Sequence, residues 1–190
     1  MAMEKLYFAL VDTPGIMAGM IRQVIGLNYV HVAVSLDAGL SQAYSFNRRH
    51  PAIPYFSGFV REDASKILRK FPRARYRIIS IPCTGEQKRQ IGQYLAECYQ
   101  QRMHYHYSII GLPFILLHKP FYVKNRYTCS SFAARLLEDH QLVRFNKHFS
   151  LVTPRDFYEL AGTQTEYEGL LGDYIMAAAP VWKESRSYGT

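Results

Sequence analysis

The sequence has few cysteines, few acidic residues and no long apolar run, and each shortage excludes a class of protein. Three cysteines among 190 residues, without paired spacing, do not form the disulfide framework of a small secreted domain and suit a reducing compartment. The most apolar run, residues 109–117, is interrupted by Pro113 and is far shorter than the roughly 20 residues of a membrane-spanning helix. We therefore expect a soluble, cytoplasmic protein, in which residues 1–12 form a first strand rather than a signal peptide.

Acidic residues are outnumbered by basic ones, and the excess is partly local. The chain has 15 Asp and Glu against 23 Lys and Arg, a net charge of +8. Six of the cations crowd into residues 66–77: Lys66, Arg69, Lys70, Arg73, Arg75 and Arg77. This basic segment suits contact with an anionic surface, and a solvated helix end is the alternative interpretation. No nucleic-acid-binding motif accompanies it, so we expect no specific nucleic acid partner.

The length and patterning of the chain predict one mixed domain. With 48% hydrophobic residues and no composition break, residues 1–190 are expected to form a single domain around one core. Strand patterns occur at residues 6–11, 31–36, 40–46, 76–81 and 171–177, and helical patterns at residues 16–25, 64–71, 85–103, 107–117, 129–137 and 154–160. Residues 37–39 form a tight turn between antiparallel strands, residues 47–63 a long loop, and residues 107–117 a buried helix. The prediction is an α+β fold with an antiparallel sheet.

Cys129 stands where a helix should begin, and this position favours a reactive thiol. Thr128 and Ser130 can cap the first turn, and apolar residues follow at helical spacing. The partial positive charge of a helix N-terminus favours thiolate over thiol and lowers the pKa from about 8.5. Cys83 and Cys98 are expected to be buried structural residues. Cys129 is therefore the candidate nucleophile.

A thiol nucleophile needs an imidazole to take its proton, and the imidazole needs a third group to orient it. His31 begins a predicted strand, and the face that it shares with Ser35 is small and polar. We expect the cysteine helix to pack on this face and to bring Cys129 to His31. Gln42 on the neighbouring strand is the predicted orienting residue, although a register slip of one residue would turn a serine inward instead.

Three further residues, Tyr44, Tyr127 and Ser130, are predicted to line the substrate site. His104 and His106 have a spacing that can place two metal ligands on one face of an extended segment. The chain lacks the paired cysteines or helical histidine pair of a zinc site. We therefore expect neither a metal nor a cofactor.

In order and in sequence, several segments resemble the circularly permuted branch of the NlpC-type papain-like superfamily, in which the histidine strand precedes the cysteine helix. The matching segments are residues 12–15, 29–34, 43–48, 58–62, 127–132, 167–169 and 173–174. The resemblance implies a papain-like α+β fold, with the cysteine helix packed against an antiparallel sheet. It also implies thiol catalysis on amide or ester bonds by Cys129 and His31. The third residue of that family is variable and often a carboxylate or histidine, so Gln42 departs from the usual pattern.

Three functions are compatible with these features. The leading one is a cysteine hydrolase, a peptidase or amidase that forms an acyl-enzyme. A lipid acyltransferase or thioesterase, like the lecithin:retinol acyltransferase relatives of the same branch, is the alternative, with residues 109–117 beside the acyl chain. A non-catalytic binding module on the same fold is the third. The expected partner is a small-molecule, peptide or lipid-ester substrate, and the sequence carries no signal of oligomeric state.

Overall fold

The strands of the computed structural model form one sheet. The structure describes residues 3–14, 19, 22, 26–48 and 57–177. The strands are β1 (Met3–Asp12), β2 (His31–Ser35), β3 (Ala43–Arg48), β4 (Ser57–Glu62), β5 (Arg75–Thr84), β6 (His106–Tyr107), β7 (Arg126–Tyr127) and β8 (Gln164–Leu170). Their order is β7-β6-β4-β3-β2-β1-β5-β8, and every neighbouring pair is antiparallel except β6 and β7. The predicted α+β class with an antiparallel sheet is confirmed.

Helices lie between and after these strands. They are α1 (Ala64–Lys70), α2 (Gly85–Gln100), α3 (Gly111–Leu116), α4 (Cys129–Asp139) and α5 (Pro154–Tyr158), and residues 171–177 are also helical. Thr84 and Thr128 form capping boxes at the starts of α2 and α4, which explains why sequence patterns located both starts. The predicted helix at residues 16–25 lies largely outside the described residues. Among those that are described, no helix has the length and apolar character needed to cross a membrane.

Each face of the sheet carries a buried apolar cluster. The larger cluster joins Val32 and Val34 of β2 to Cys129 and Phe132 of α4. The prediction that α4 packs on the other face of β2, the one with Ser35, is therefore wrong. Two valines opposite Phe132 bury more apolar area than a small polar face would, and apolar burial is the larger stabilising contribution.

Two chain segments differ in type from their predictions. Residues 57–62, predicted as part of a loop, form β4, which pairs with β3 from Ala43 opposite Glu62 to Arg48 opposite Ser57. Cross-strand pairing supplies hydrogen bonds that local propensity does not reveal. Residues 171–177, predicted as the last strand, are helical, and β8 precedes them.

The predicted buried helix at residues 107–117 is also wrong. Only the six residues of α3 are helical, and the chain turns at His118, which has a φ of 52°. Ile110, Leu116 and Leu117 are 64%, 57% and 62% exposed. α3 belongs to the connection between β6 and β7, the two short strands at one end of the sheet order, and these side chains face solvent there.

Candidate active site

Cys129 is the first residue of α4 and is only 5% exposed. The helix start is fixed by reciprocal bonds: the Ser131 amide donates to Thr128 Oγ1 at 3.1 Å, and the Thr128 amide donates to Ser131 Oγ at 2.8 Å. The sulfur of Cys129 accepts hydrogen bonds from the backbone amides of Val32 and Ser130. Amide donors of this kind stabilise a negative charge on sulfur.

His31, the first residue of β2, joins Cys129 to an acidic residue. Its Nε2 lies 2.6 Å from Oε1 of Glu62, the last residue of β4, and the ring also hydrogen-bonds the thiol of Cys129. The arrangement is therefore a continuous line from thiol to imidazole to carboxylate. Such a line can activate a nucleophile and fix the orientation of its base.

Glu62 is almost fully enclosed, with a side chain 5% exposed. The Ser45 hydroxyl donates a short hydrogen bond to Oε1, and Asn47 Nδ2 donates to the same atom at 3.4 Å. Both residues lie on β3, beside β4 in the sheet. Burial raises the pKa of Glu62, but His31, Ser45 and Asn47 outweigh burial and lower it below 4.5. Glu62 is therefore a carboxylate at neutral pH.

The pKa values of His31 and Cys129 are shifted in the directions that favour their charged forms. Burial lowers the pKa of His31, but the charges of Glu62 and Cys129 raise it well above 6.5. Burial raises the pKa of the Cys129 thiol, but His31 and the two backbone amides lower it below its usual 9.0. Both shifts favour a thiolate on Cys129 and an imidazolium on His31, beside the carboxylate of Glu62.

Gln42 does not occupy the orienting position. Glu62 and Cys129 are the hydrogen-bond partners of the His31 ring, whereas Gln42 is exposed and lies in the turn before β3. Its backbone amide donates to Asp37 Oδ2 at 2.9 Å, which delays the start of the strand. The prediction treated this turn as part of a strand and β4 as part of a loop, so it placed Gln42 rather than Glu62 beside His31.

Gln42 instead lines an open cavity of about 880 Å³, which Glu62 also lines. Arg61, Lys66 and Arg69 line the same cavity. Cys129 is not among the described residues that line this cavity, so the cavity does not open on the candidate nucleophile.

The three residues predicted to line a substrate site are buried and bonded within the protein. Tyr44 stacks on Phe59 at 5.7 Å, and the Tyr127 hydroxyl lies 2.8 Å from that of Tyr122. The Ser130 hydroxyl donates to the carbonyl of residue 152 at 2.7 Å. Their role in substrate binding stays a prediction, although the Ser130 amide does contact the sulfur.

The sequence analysis missed three residues of the site, one of them the carboxylate that contacts His31 and two of them tyrosines whose pKa values Cys129 or Glu62 affects. Glu62 could have been considered, because it ends residues 58–62, one of the segments that carry the resemblance, and the third residue of that family is often a carboxylate. Burial and the charge of Cys129 raise the pKa of Tyr107, which lies near the sulfur. Tyr76 has a buried hydroxyl without a hydrogen-bond partner among the described residues, and burial and the charge of Glu62 raise its pKa. Nothing in the sequence separates either tyrosine from the other thirteen.

The two histidines considered as metal ligands do not share an element. His104 ends a short 3₁₀ turn, and His106 begins β6. Within the described ranges, no group of three His, Cys, Asp or Glu side chains is arranged to hold a metal ion.

Comparison of the chain with family models, with curated proteins and with solved structures finds no match. The chemical interpretation of the site therefore rests on its own geometry.

Proposed function

We propose that this protein is a cysteine hydrolase with a permuted papain-like fold, in which Cys129, His31 and Glu62 cleave an amide or ester bond. The observation that carries the proposal is the continuous line of hydrogen bonds from the thiol to the buried carboxylate. Burying charged groups is unfavourable unless their mutual attraction offsets the loss of water. A purely structural cysteine needs no such neighbours, so perturbed pKa values at this point support a catalytic role.

The proposed reaction has two steps. The Cys129 thiolate forms a bond to the substrate carbonyl carbon, and the bond to the leaving amine or alkoxide breaks as His31 donates its proton to that group. Water then gives a proton to His31 and attacks the thioester, which releases an acid and restores the thiolate. Glu62 orients the ring and stabilises the imidazolium. The backbone amide of Cys129 and the Tyr107 hydroxyl are the proposed donors to the oxyanion.

The test is to trap the acyl-enzyme. The wild-type protein and the Cys129→Ala and His31→Ala variants are incubated with p-nitrophenyl esters and peptide anilides, and intact and peptide masses are recorded. We expect an acyl adduct on Cys129 that is absent from Cys129→Ala and forms much more slowly in His31→Ala. The buried thiols of Cys83 and Cys98 serve as internal controls, because burial raises the pKa of each.

A second outcome would favour the non-catalytic binding module. If no adduct forms with any substrate, and if iodoacetamide at about pH 6 labels Cys129 no faster than Cys83, the thiol is not activated and the proposed hydrolase is wrong.

Acyl transfer from a lipid ester is the second candidate function. The observation that favours it is the exposed apolar face near Ile110 and Leu117, in the segment that leads to Cys129. A lipid acyltransferase predicts faster acylation by longer acyl chains and transfer of the acyl group to an added amine or alcohol in preference to water. Equal rates for short and long chains, with water as the acceptor, favour the hydrolase.

Contact of the basic segment with an anionic surface also stays a proposal. Two of its cations have acidic partners: Lys66 pairs with Asp63 at 3.7 Å, and Arg77 lies 3.6 Å from Glu168. The remaining four, Arg69, Lys70, Arg73 and Arg75, are exposed.

A further inference from the structure

The segment that connects β6 to β7, residues 108–125, presents apolar side chains to solvent; we call it the apolar loop. Ile110, Pro113, Leu116 and Leu117 recur at helical spacing along α3, and all are exposed. The opposite side of the helix carries Gly111, which is buried. An ordinary surface helix turns its apolar stripe toward the core, so an outward-facing stripe indicates an interaction site.

The apolar loop is fixed to the body of the protein. The Phe121 amide donates to Ser150 Oγ at 3.2 Å, and the Phe114 and Phe121 rings stack at 4.4 Å. A side chain at Gly111 would approach Ser108 Oγ to 2.7 Å, so the start of α3 packs tightly against the first residue of the loop. These contacts hold the exposed face in place on the protein.

The charge around the apolar loop has one sign. No Asp or Glu occurs between Glu97 and Glu138. Lys119 and Lys124 lie in the loop, Arg126 follows it directly, and all three are exposed. The ion pairs formed within the described part of the chain include none of them. Apolar side chains edged by cations and free of acids match an anionic lipid surface, where the cations meet phosphates and the apolar groups enter the interface.

We propose that the apolar loop docks this protein onto the surface of an anionic phospholipid membrane. The loop begins directly after Tyr107 of β6 and ends directly before β7, and β7 leads into α4. Docking would therefore hold the start of α4 near the lipid surface. The proposal does not depend on the proposed function, because docking needs no reaction at Cys129.

The experiment is co-sedimentation of the full chain with vesicles of phosphatidylcholine, with or without about one third phosphatidylglycerol. We expect binding to the anionic vesicles, weak binding to pure phosphatidylcholine, and loss of binding as salt screens the cations. The double variant Ile110→Glu/Leu117→Glu should bind at least about tenfold more weakly, because two apolar side chains no longer enter the interface. Lys119→Glu/Lys124→Glu should lose most of the preference for anionic vesicles.

Matched controls separate docking from general effects. Met176 is 69% exposed and lies outside the loop, so Met176→Glu should bind like the wild type. Lys66→Glu/Arg69→Glu reverses charge in the basic segment, whose contact with an anionic surface is a separate proposal. Binding retained by this variant supports docking through the apolar loop, whereas binding lost here and retained by Lys119→Glu/Lys124→Glu would assign the vesicle contact to the basic segment. Circular dichroism and labelling of Cys129 verify that each variant is folded.

Three outcomes would overturn the proposal. One is no sedimentation with anionic vesicles at low salt. Another is equal binding by the wild type and Ile110→Glu/Leu117→Glu. The third is a wild-type dimer by light scattering that Ile110→Glu/Leu117→Glu converts to monomer, without vesicle binding by either, which would assign the apolar face to a second copy of the chain.

Discussion

At the scale of single residues, Glu62 supplies the negative charge beside His31 in the candidate site. It neutralises the imidazolium of His31 inside the protein, and Ser45 and Asn47 complete its hydrogen bonds. A neutral amide such as Gln42 could orient the ring, but it would stabilise the imidazolium much less. The carboxylate therefore supports the thiolate indirectly, by keeping His31 protonated.

Replacing Glu62 by Gln should weaken that support. The pKa of His31 should fall and the pKa of Cys129 should rise, because the partner charge of each is lost or reduced. Iodoacetamide labelling followed against pH should show the thiolate midpoint displaced upward, with labelling about tenfold slower near neutral pH.

The matched control is Gln42→Ala, which removes the residue that sequence patterns placed beside His31. Its labelling profile should superpose on that of the wild type. If Gln42→Ala shifts the midpoint and Glu62→Gln does not, the assignment of Glu62 is wrong.

At the scale of elements, α4 both buries apolar area and positions the sulfur. Its first six residues are all buried, so its start cannot move without disturbing the core. The capping box of Thr128 and Ser131 satisfies amides that would otherwise be unpaired and buried. Stability and reactivity therefore depend on the same few hydrogen bonds.

Thr128→Ala should reduce the free energy of unfolding by about 1–2 kcal/mol, the usual effect of losing an N-cap. It should also slow the labelling of Cys129, because the first turn then holds the sulfur and its amide donors less firmly. Urea unfolding and labelling rates measure the two effects.

Thr84→Ala is the control, since Thr84 caps α2 in the same way. It should lower stability by a similar amount and leave labelling of Cys129 in the folded protein unchanged. Equal slowing of labelling in both variants would mean that stability alone, rather than the start of α4, controls the thiol.

At the scale of the whole molecule, the charged line links stability to pH. The raised pKa of His31 stabilises the fold below pH 6.5, and this contribution is lost as pH rises through the folded value. The lowered pKa of Cys129 stabilises the fold above pH 9.0, and this contribution is lost as pH falls through the folded value. Where the two pH ranges overlap, the His31 contribution falls as pH rises while the Cys129 contribution grows, so the two slopes cancel.

Cys129→Ala should reveal the cancelled slope. Above pH 6.5 its free energy of unfolding should fall relative to that of the wild type, by up to about 1.4 kcal/mol for each pH unit. Urea unfolding of both proteins across this range gives the difference, in which the other titrating groups largely cancel. Parallel curves would show that Cys129 is an ordinary thiol in the folded protein.

Glu62 governs the acid side of the same profile. Its pKa is lowered below 4.5, so its contribution is present above that pH and is lost as pH falls through the folded value. Loss of stability in acid should therefore be shallower in Glu62→Gln than in the wild type.

Local signals in the sequence determined the parts of the protein that depend on neighbouring residues. The caps at Thr84 and Thr128 located the starts of α2 and α4, and alternation located β1, β2 and β5. Helix starts and strand alternation arise within a few residues, so one sequence is enough to find them. The same local argument singled out Cys129 and His31, which the structure brings into hydrogen-bond contact.

Only the tertiary structure decided which other segments of the chain contact Cys129 and His31. The pairing of β4 with β3 places Glu62 beside His31. α4 packs on the valine face of β2 because burial of apolar side chains is favourable there. The same holds for α3, whose apolar sequence predicted burial although its position at the sheet edge leaves it exposed. Strand order and the side on which a helix packs depend on contacts between segments far apart along the chain, and no local pattern encodes them.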